Sequence, residues 1–92
     1  MHRRFWNISG KGKNYEILSK VEKCANKYGY VVDFKKFSET EFCIIVEVEE
    51  HKIEIMFQAL KKIVNIEKFN EIFLRRKTED EVYLNVTVSE LN

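Results

Sequence analysis

The chain has 92 residues, 45% of them hydrophobic and 13% aromatic, with 16 Lys and Arg against 15 Asp and Glu, for a formal net charge of +1. That length suits one globular domain and leaves no room for two independent cores, and the balanced charge gives no overall pull toward nucleic acid or an anionic membrane. Cys24 and Cys43 are too few for a secreted disulfide scaffold and form no C-x-x-C pair, so reduced thiols in a cytoplasmic protein are expected.

No apolar run reaches membrane-spanning length, and the two arginines near the start are followed by no apolar signal-peptide core. A soluble protein is the expectation. Proline, low-complexity tracts and polar linkers are all missing from the sequence, so 1–92 reads as a single domain.

Residues 3–8 (RRFWNI) alternate and predict a first strand. The stretch that follows, SGKGKN, carries Gly10, Lys11, Gly12 and Lys13 into a helix start at Asn14, an arrangement able to hold an anion on free backbone N–H groups and a helix dipole. It is not a Walker A loop, because Asn14 stands where Ser or Thr is needed, and Tyr15 replaces the third glycine of a dinucleotide fingerprint. A strand-to-helix turn is the simpler reading, with an anion-binding loop as the alternative.

Residues 14–28 place Ile17, Leu18, Val21, Cys24, Ala25 and Tyr28 at helical spacing, and Gly29 is expected to end the helix in a left-handed conformation. A second strand is predicted over 30–37, a turn at SET, and a third strand over 41–49 with the clearest alternation in the chain. A second helix, expected from Glu50, repeats Ile53, Met56, Phe57, Leu60, Ile63 and Val64 on one face. Strands near 71–76 and 82–89 follow, joined by KTED. Arg75, Arg76 and Lys77 before that turn and Glu79, Asp80 and Glu81 after it are expected to pair across a hairpin.

The order β-α-β-β-α-β-β predicts an α+β domain of ferredoxin-like (split βαβ) type with an added C-terminal strand, sheet order 5-4-1-3-2, and both helices on one face. Side-chain parity then assigns Trp6, Ile8, Val32, Phe34, Phe42, Ile44, Val46, Val48, Ile72, Leu74, Val82, Leu84, Val86 and Val88 to the core. The opposite parity gives an open face of Arg3, Phe5, Asn7, Val31, Asp33, Lys35, Phe37, Cys43, Ile45, Glu47, Glu71, Phe73, Arg75, Tyr83, Asn85 and Thr87.

From that face the expected interaction surface is Phe5, Cys43, Ile45, Phe73, Arg75, Tyr83, Asn85 and Thr87, because a contiguous exposed apolar cluster marks a binding surface. The last strand, VYLNVTVS, carries no charge or proline, so as a border strand it would invite strand addition. A homodimer or protein partner, joined through the open face or this strand, is the expected association.

Enzymatic chemistry has little support. His2 and His51 stand apart from any cysteine or second histidine at ligand spacing, so no metal or cofactor is expected. Cys24 reads as a core residue, and Glu47, Glu49, Glu50 and Glu54 suit the start of a helix. The βαββαβ order resembles that of RNA-recognition domains, which implies base stacking on sheet aromatics. Here the third strand, TEFCIIVEV, lacks the basic and multi-aromatic pattern of that family. Over 3–76 the topology also looks like an ACT-type regulatory domain, a resemblance that implies a small effector near 9–13, although the loop lacks the Asp and Pro-Gly pattern common there. A non-enzymatic interaction or regulatory module is therefore expected.

Overall fold

A computed structural model describes residues 2–73 and 80–89. The elements run β1 (His2–Lys11), α1 (Asn14–Tyr28), β2 (Gly29–Lys36), β3 (Glu41–Val48), a 3-10 turn (Glu50–Lys52), α2 (Ile53–Lys61), β4 (Asn65–Phe73) and β5 (Asp80–Ser89). The fold is α+β, a five-stranded mixed sheet with two helices. No helix among the described residues is long and apolar enough to cross a membrane.

Both helices form for local reasons visible in the sequence. In α1 the buried Ile17, Val21, Cys24 and Ala25 fall on one stripe, Glu16 sits in the positive first turn and Lys27 in the negative last turn. In α2 the buried stripe is Ile53, Met56, Phe57 and Leu60. The helix begins later than Glu50 because residues 50–52 form the 3-10 turn, in which the exposed His51 lies 3.5 Å from Glu49. These stripes share one core with Trp6, Ile8, Phe42, Ile44, Val46, Val48, Val82, Leu84, Val86 and Val88 from the sheet. Trp6 meets Phe57 edge to face at 5.0 Å, joining β1 to α2.

The strand order is β2-β3-β5-β1-β4, which corrects the expected 5-4-1-3-2. The β2–β3 and β1–β4 neighbours are the expected ones, but β5 is inserted between β1 and β3 instead of lying on the border. It runs parallel to β1, from Arg3↔Glu81 to Lys11↔Ser89, and antiparallel to β3, from Glu41↔Thr87 to Val48↔Asp80. The charge-free sequence is that of an interior strand, hydrogen-bonded on both sides, so it offers no free edge for a partner.

The expected β4–β5 hairpin is also absent from the described residues, since β1 lies between the two strands. Asp80 and Glu81 pair with Arg4 and Arg3 of β1 instead. Leu74, Arg75, Arg76, Lys77 and Glu79 lie outside the described residues.

Two β-bulges overturn the parity expected at the borders. In β2 the register jumps between Val31↔Val46 and Asp33↔Ile45, leaving Val32 as the extra residue. Val31 therefore packs against the core and Val32 is exposed instead of a core residue. Phe34 keeps the expected helix side, stacked on Phe42, but is 49% exposed because β2 borders the sheet. In β4 the register jumps from Trp6↔Lys68 to Phe5↔Asn70 around Phe69. Beyond it Ile72, opposite Arg3, shares the open face, while Glu71, opposite Arg4, and Phe73, opposite His2, share the helix side. Ile63 is another departure, exposed just after α2.

Gly29 has φ −160°, extended backbone at the start of β2, and is not a left-handed helix terminator. It is glycine because a Cβ there would overlap the carbonyl oxygen of Glu47 on β3.

Candidate functional site

The registers of all five strands align the open face into lateral rows. One runs Tyr30, Glu47, Glu81, Arg3, Ile72; the next Asp33, Ile45, Tyr83, Phe5, Asn70; the next Lys35, Cys43, Asn85, Asn7, Glu67. Thr87 and Ser9 follow between Glu41 and Asn65. Both helices lie on the other side, because alternate residues of these same strands make up the shared core.

The aromatic centre of this face is Phe5 against Tyr83, with ring centroids 4.9 Å apart and planes inclined by 35°. Arg3 sits over the Tyr83 ring at 5.5 Å, while its Nη2 reaches Glu81 at 3.3 Å. Tyr83 thus holds a cation on its ring and a second ring at its side, which fixes its orientation. Neighbouring Ile45 and Cys43 are only 6% and 4% exposed, so they form the floor of the patch and Phe5 and Tyr83, both half-buried, form its contact surface.

Burial is the main reason the Cys43 thiol is held above its ordinary pKa; Lys35 opposes the shift and Asp33 adds to it. Cys24, in the core on the other side of the sheet, is raised by burial against the opposing charge of Lys27. These are neutral packing thiols.

Of the expected surface residues, the structure brings Phe5, Cys43, Ile45, Tyr83, Asn85 and Thr87 together on adjacent strands. Phe73 is elsewhere, on the helix side of the β4 border with its ring 5.3 Å from His2, and Arg75 lies outside the described residues. A polar cleft of about 480 Å³ opens at one end of the face between Asn7, Ser9, Asn65, Glu67 and Thr87. Among the described residues, acidic Asp33, Glu41, Glu47, Glu67 and Glu81 outweigh basic Arg3, Lys11 and Lys35 over this face.

In the glycine-lysine loop, Gly10 and Lys11 finish β1 opposite Val88 and Ser89. Gly12 turns the chain with φ +130°, and its N–H donates to the Ser89 carbonyl at 3.0 Å. The Tyr15 N–H is taken by Asn14 Oδ1 at 2.7 Å, the Glu16 N–H by the Lys13 carbonyl, and Lys13 approaches the Tyr15 ring at 6.0 Å. Internal bonds occupy these donors, and the Glu16 carboxylate supplies negative charge to the first turn.

The chain matches no family model, no curated protein and no solved structure. The functional reading therefore rests on the chemistry of its own surfaces.

Of a second such surface, parity reasoning placed only Phe37 on an exposed face. Tyr30, Val32, Phe34 and Phe37 are between 48% and 73% exposed and lie along the β2 border. The signal was present in YVVDFKKF, where the doubled valine interrupts alternation and marks the bulge.

Proposed function

We propose that this chain is a non-enzymatic protein-protein interaction or regulatory module that engages a partner through the open sheet face, with Phe5 and Tyr83 as its principal contacts. The observation that carries this reading is the Phe5–Tyr83 pair at the centre of a face free of helices. Rigid aromatic rings beside an arginine are the residues that dominate binding energy at protein interfaces. The surrounding Glu47 and Lys35 suit a polar rim. We read the architecture as a split βαβ sheet of ferredoxin-like type with β5 intercalated, and two unbridged buried thiols support a reducing, cytoplasmic setting.

The test compares tagged wild type with Phe5→Asp and Tyr83→Asp, each shown to be folded by far-UV circular dichroism. Proteins retained by wild type and lost by both variants support the assignment; identical retention overturns it.

The same aromatic pair favours a second reading, base stacking on single-stranded RNA. The acidic excess among the described residues of the face and the pairing of Arg3 with Glu81 argue against it, since single-strand binding relies on a positive groove. Fluorescence titration with labelled RNA at low salt decides: no binding removes this reading. The polar cleft beside Ser9 supports the third, a small-effector site, for which stabilisation of the chain by amino acids in a thermal melt is the required result.

A further inference from the structure

β2 is a border strand whose outward side matches itself. The Phe37 N–H donates to Glu41 of β3 at 2.8 Å, so by strand alternation residues 33 and 35 also turn their backbone groups toward β3, and Phe34 and Lys36 turn theirs outward. The outward Phe34 N–H is held by its neighbour Asp33, at 2.8 Å to Oδ1. Phe34 itself stacks on Phe42 at 5.9 Å yet stays half exposed.

The geometry points to a second copy of this chain as the occupant of this border, paired antiparallel about a two-fold axis through Phe34. That register places Phe34 opposite Phe34 of the second copy as a hydrogen-bonded pair, extending the Phe42 stack to four rings. On the open side it sets Asp33 against Lys35 of the second copy, and by symmetry Lys35 against Asp33. Beyond the bulge, where Val31 and Val32 together oppose Lys36 of the second copy, Phe37 comes opposite Tyr30. The exposed apolar residues of the border are covered together, Asp33 and Lys35 each meet an opposite charge, and Lys36 keeps Glu39 of its own chain at 3.1 Å.

Asp33 changes partner in this step, from the Phe34 N–H to Lys35 of the second copy, while Phe34 exchanges that bond for one across the axis. The other border does not match itself in this way. The Glu71 N–H of β4 is held by Asn70 Oδ1 at 2.8 Å, but a two-fold axis at Glu71 opposes Glu71 to itself, a like-charge pair. Charges on β2 that would repel a foreign strand are thus complementary to its own copy.

The proposal goes beyond the open-face reading and does not depend on it. The full chain is expected to show a concentration-dependent monomer-dimer equilibrium by sedimentation. Asp33→Lys and Lys35→Asp, both at exposed positions, each set like charges together twice and weaken the dimer about tenfold or more. Combining the two restores it. Phe34→Cys gives a disulfide-linked dimer on mild oxidation, because hydrogen-bonded antiparallel Cα atoms stand about 5.5 Å apart, within disulfide reach.

A monomer at every concentration overturns the proposal. So does a dimer unmoved by either single reversal, a double variant as weak as the singles, or absence of the cross-link. Tyr83→Asp leaves this dimer intact; if it dissociates the dimer instead, the copies meet through the open face and the β2 register is wrong.

Discussion

Arg4 Nε lies 3.0 Å from Asp80 Oδ2, joining β1 to β5 across the helix side of the sheet, and Asp80 is 1% exposed. The other Asp80 oxygen accepts the His2 N–H at 2.9 Å, and Arg4 Nη1 reaches Glu71 of β4 at 2.8 Å. One arginine thus ties three strands together. Removing one partner of a buried pair leaves an uncompensated charge. Arg4→Met, which keeps the aliphatic stem, is expected to cost about 3 kcal/mol and to lower Tm by roughly 15 °C. Adding Asp80→Leu to it should recover part of the loss; a thermal melt unchanged by Arg4→Met would show that the pair contributes nothing.

Element identity was legible because it is local. The stripes of α1 and α2, the turn at SET and the alternation of β3 each lie within about ten residues of sequence. Strand order is decided by distant partners, and VYLNVTVS shows why that failed: lack of charge describes an unprotected border and a fully paired centre equally well. Parity failed around Val32 and Phe69 because one inserted residue reverses the side chains on one side of it relative to the other: Val31 before the β2 bulge, and Glu71, Ile72 and Phe73 beyond the β4 bulge. That reversal moved Phe73 off the expected face and brought Ile72 onto it. Phe5, Tyr83 and Ile45 were placed correctly because β1, β3 and β5 carry no bulge where they pair with one another.

The central position of β5 makes a quantitative claim about Leu84, which is fully buried between β1 and β3. Leu84→Ala should cost about 3 kcal/mol through lost burial and a residual cavity. Phe37→Ala, at an exposed site, should fall within about 0.5 kcal/mol of wild type. Urea denaturation gives both numbers, and similar midpoints for the two variants would contradict the interior placement.

The glycines separate steric from conformational demands. At Gly29 the φ of −160° suits any residue, but a Cβ overlaps the Glu47 carbonyl of the neighbouring strand. At Gly12 the nearest obstacle to a Cβ is 4.0 Å away, and the demand is the φ of +130°. Gly29→Ala should therefore destabilise by about 2–3 kcal/mol through forced strand separation, and Gly12→Ala by about 1 kcal/mol or more through backbone strain. Chemical denaturation gives both costs, and native-state hydrogen exchange should show amide exchange rising at the β2–β3 pairing in the first variant and at the Gly12–Ser89 contact in the second.

Burial holds both thiols above the ordinary cysteine pKa, more than Lys27 or Lys35 offsets. A raised folded pKa means that the neutral thiols favour the folded state below the unfolded pKa, and that this contribution is lost as pH rises toward the folded value. Iodoacetamide at neutral pH should leave Cys24 and Cys43 largely unmodified in the native protein and alkylate both in urea. Rapid native labelling of Cys43 would place it at an open surface instead of in the floor of the patch.

Glu54 reports the docking of α2 on β4. Its carboxylate is held below the usual range chiefly by the hydrogen bond from Lys68 Nζ at 2.7 Å, with a smaller part from Gln58 at 3.2 Å. Lys68 also lies 4.7 Å from the Phe57 ring centroid, so its ammonium is shared between a carboxylate and an aromatic face of the same helix. A depressed folded pKa contributes stability above the unfolded value that disappears as pH falls through the folded one. Because the carboxylate is exposed, that contribution is small and screened by salt. A carboxyl-carbon NMR titration should find the Glu54 midpoint below that of an unperturbed glutamate. Lys68→Met should raise it toward the ordinary value, and Gln58→Ala should raise it less. A midpoint unmoved by Lys68→Met would mean that β4 does not present Lys68 to α2, and with it the register Trp6↔Lys68 that places the bulge at Phe69 would be in error.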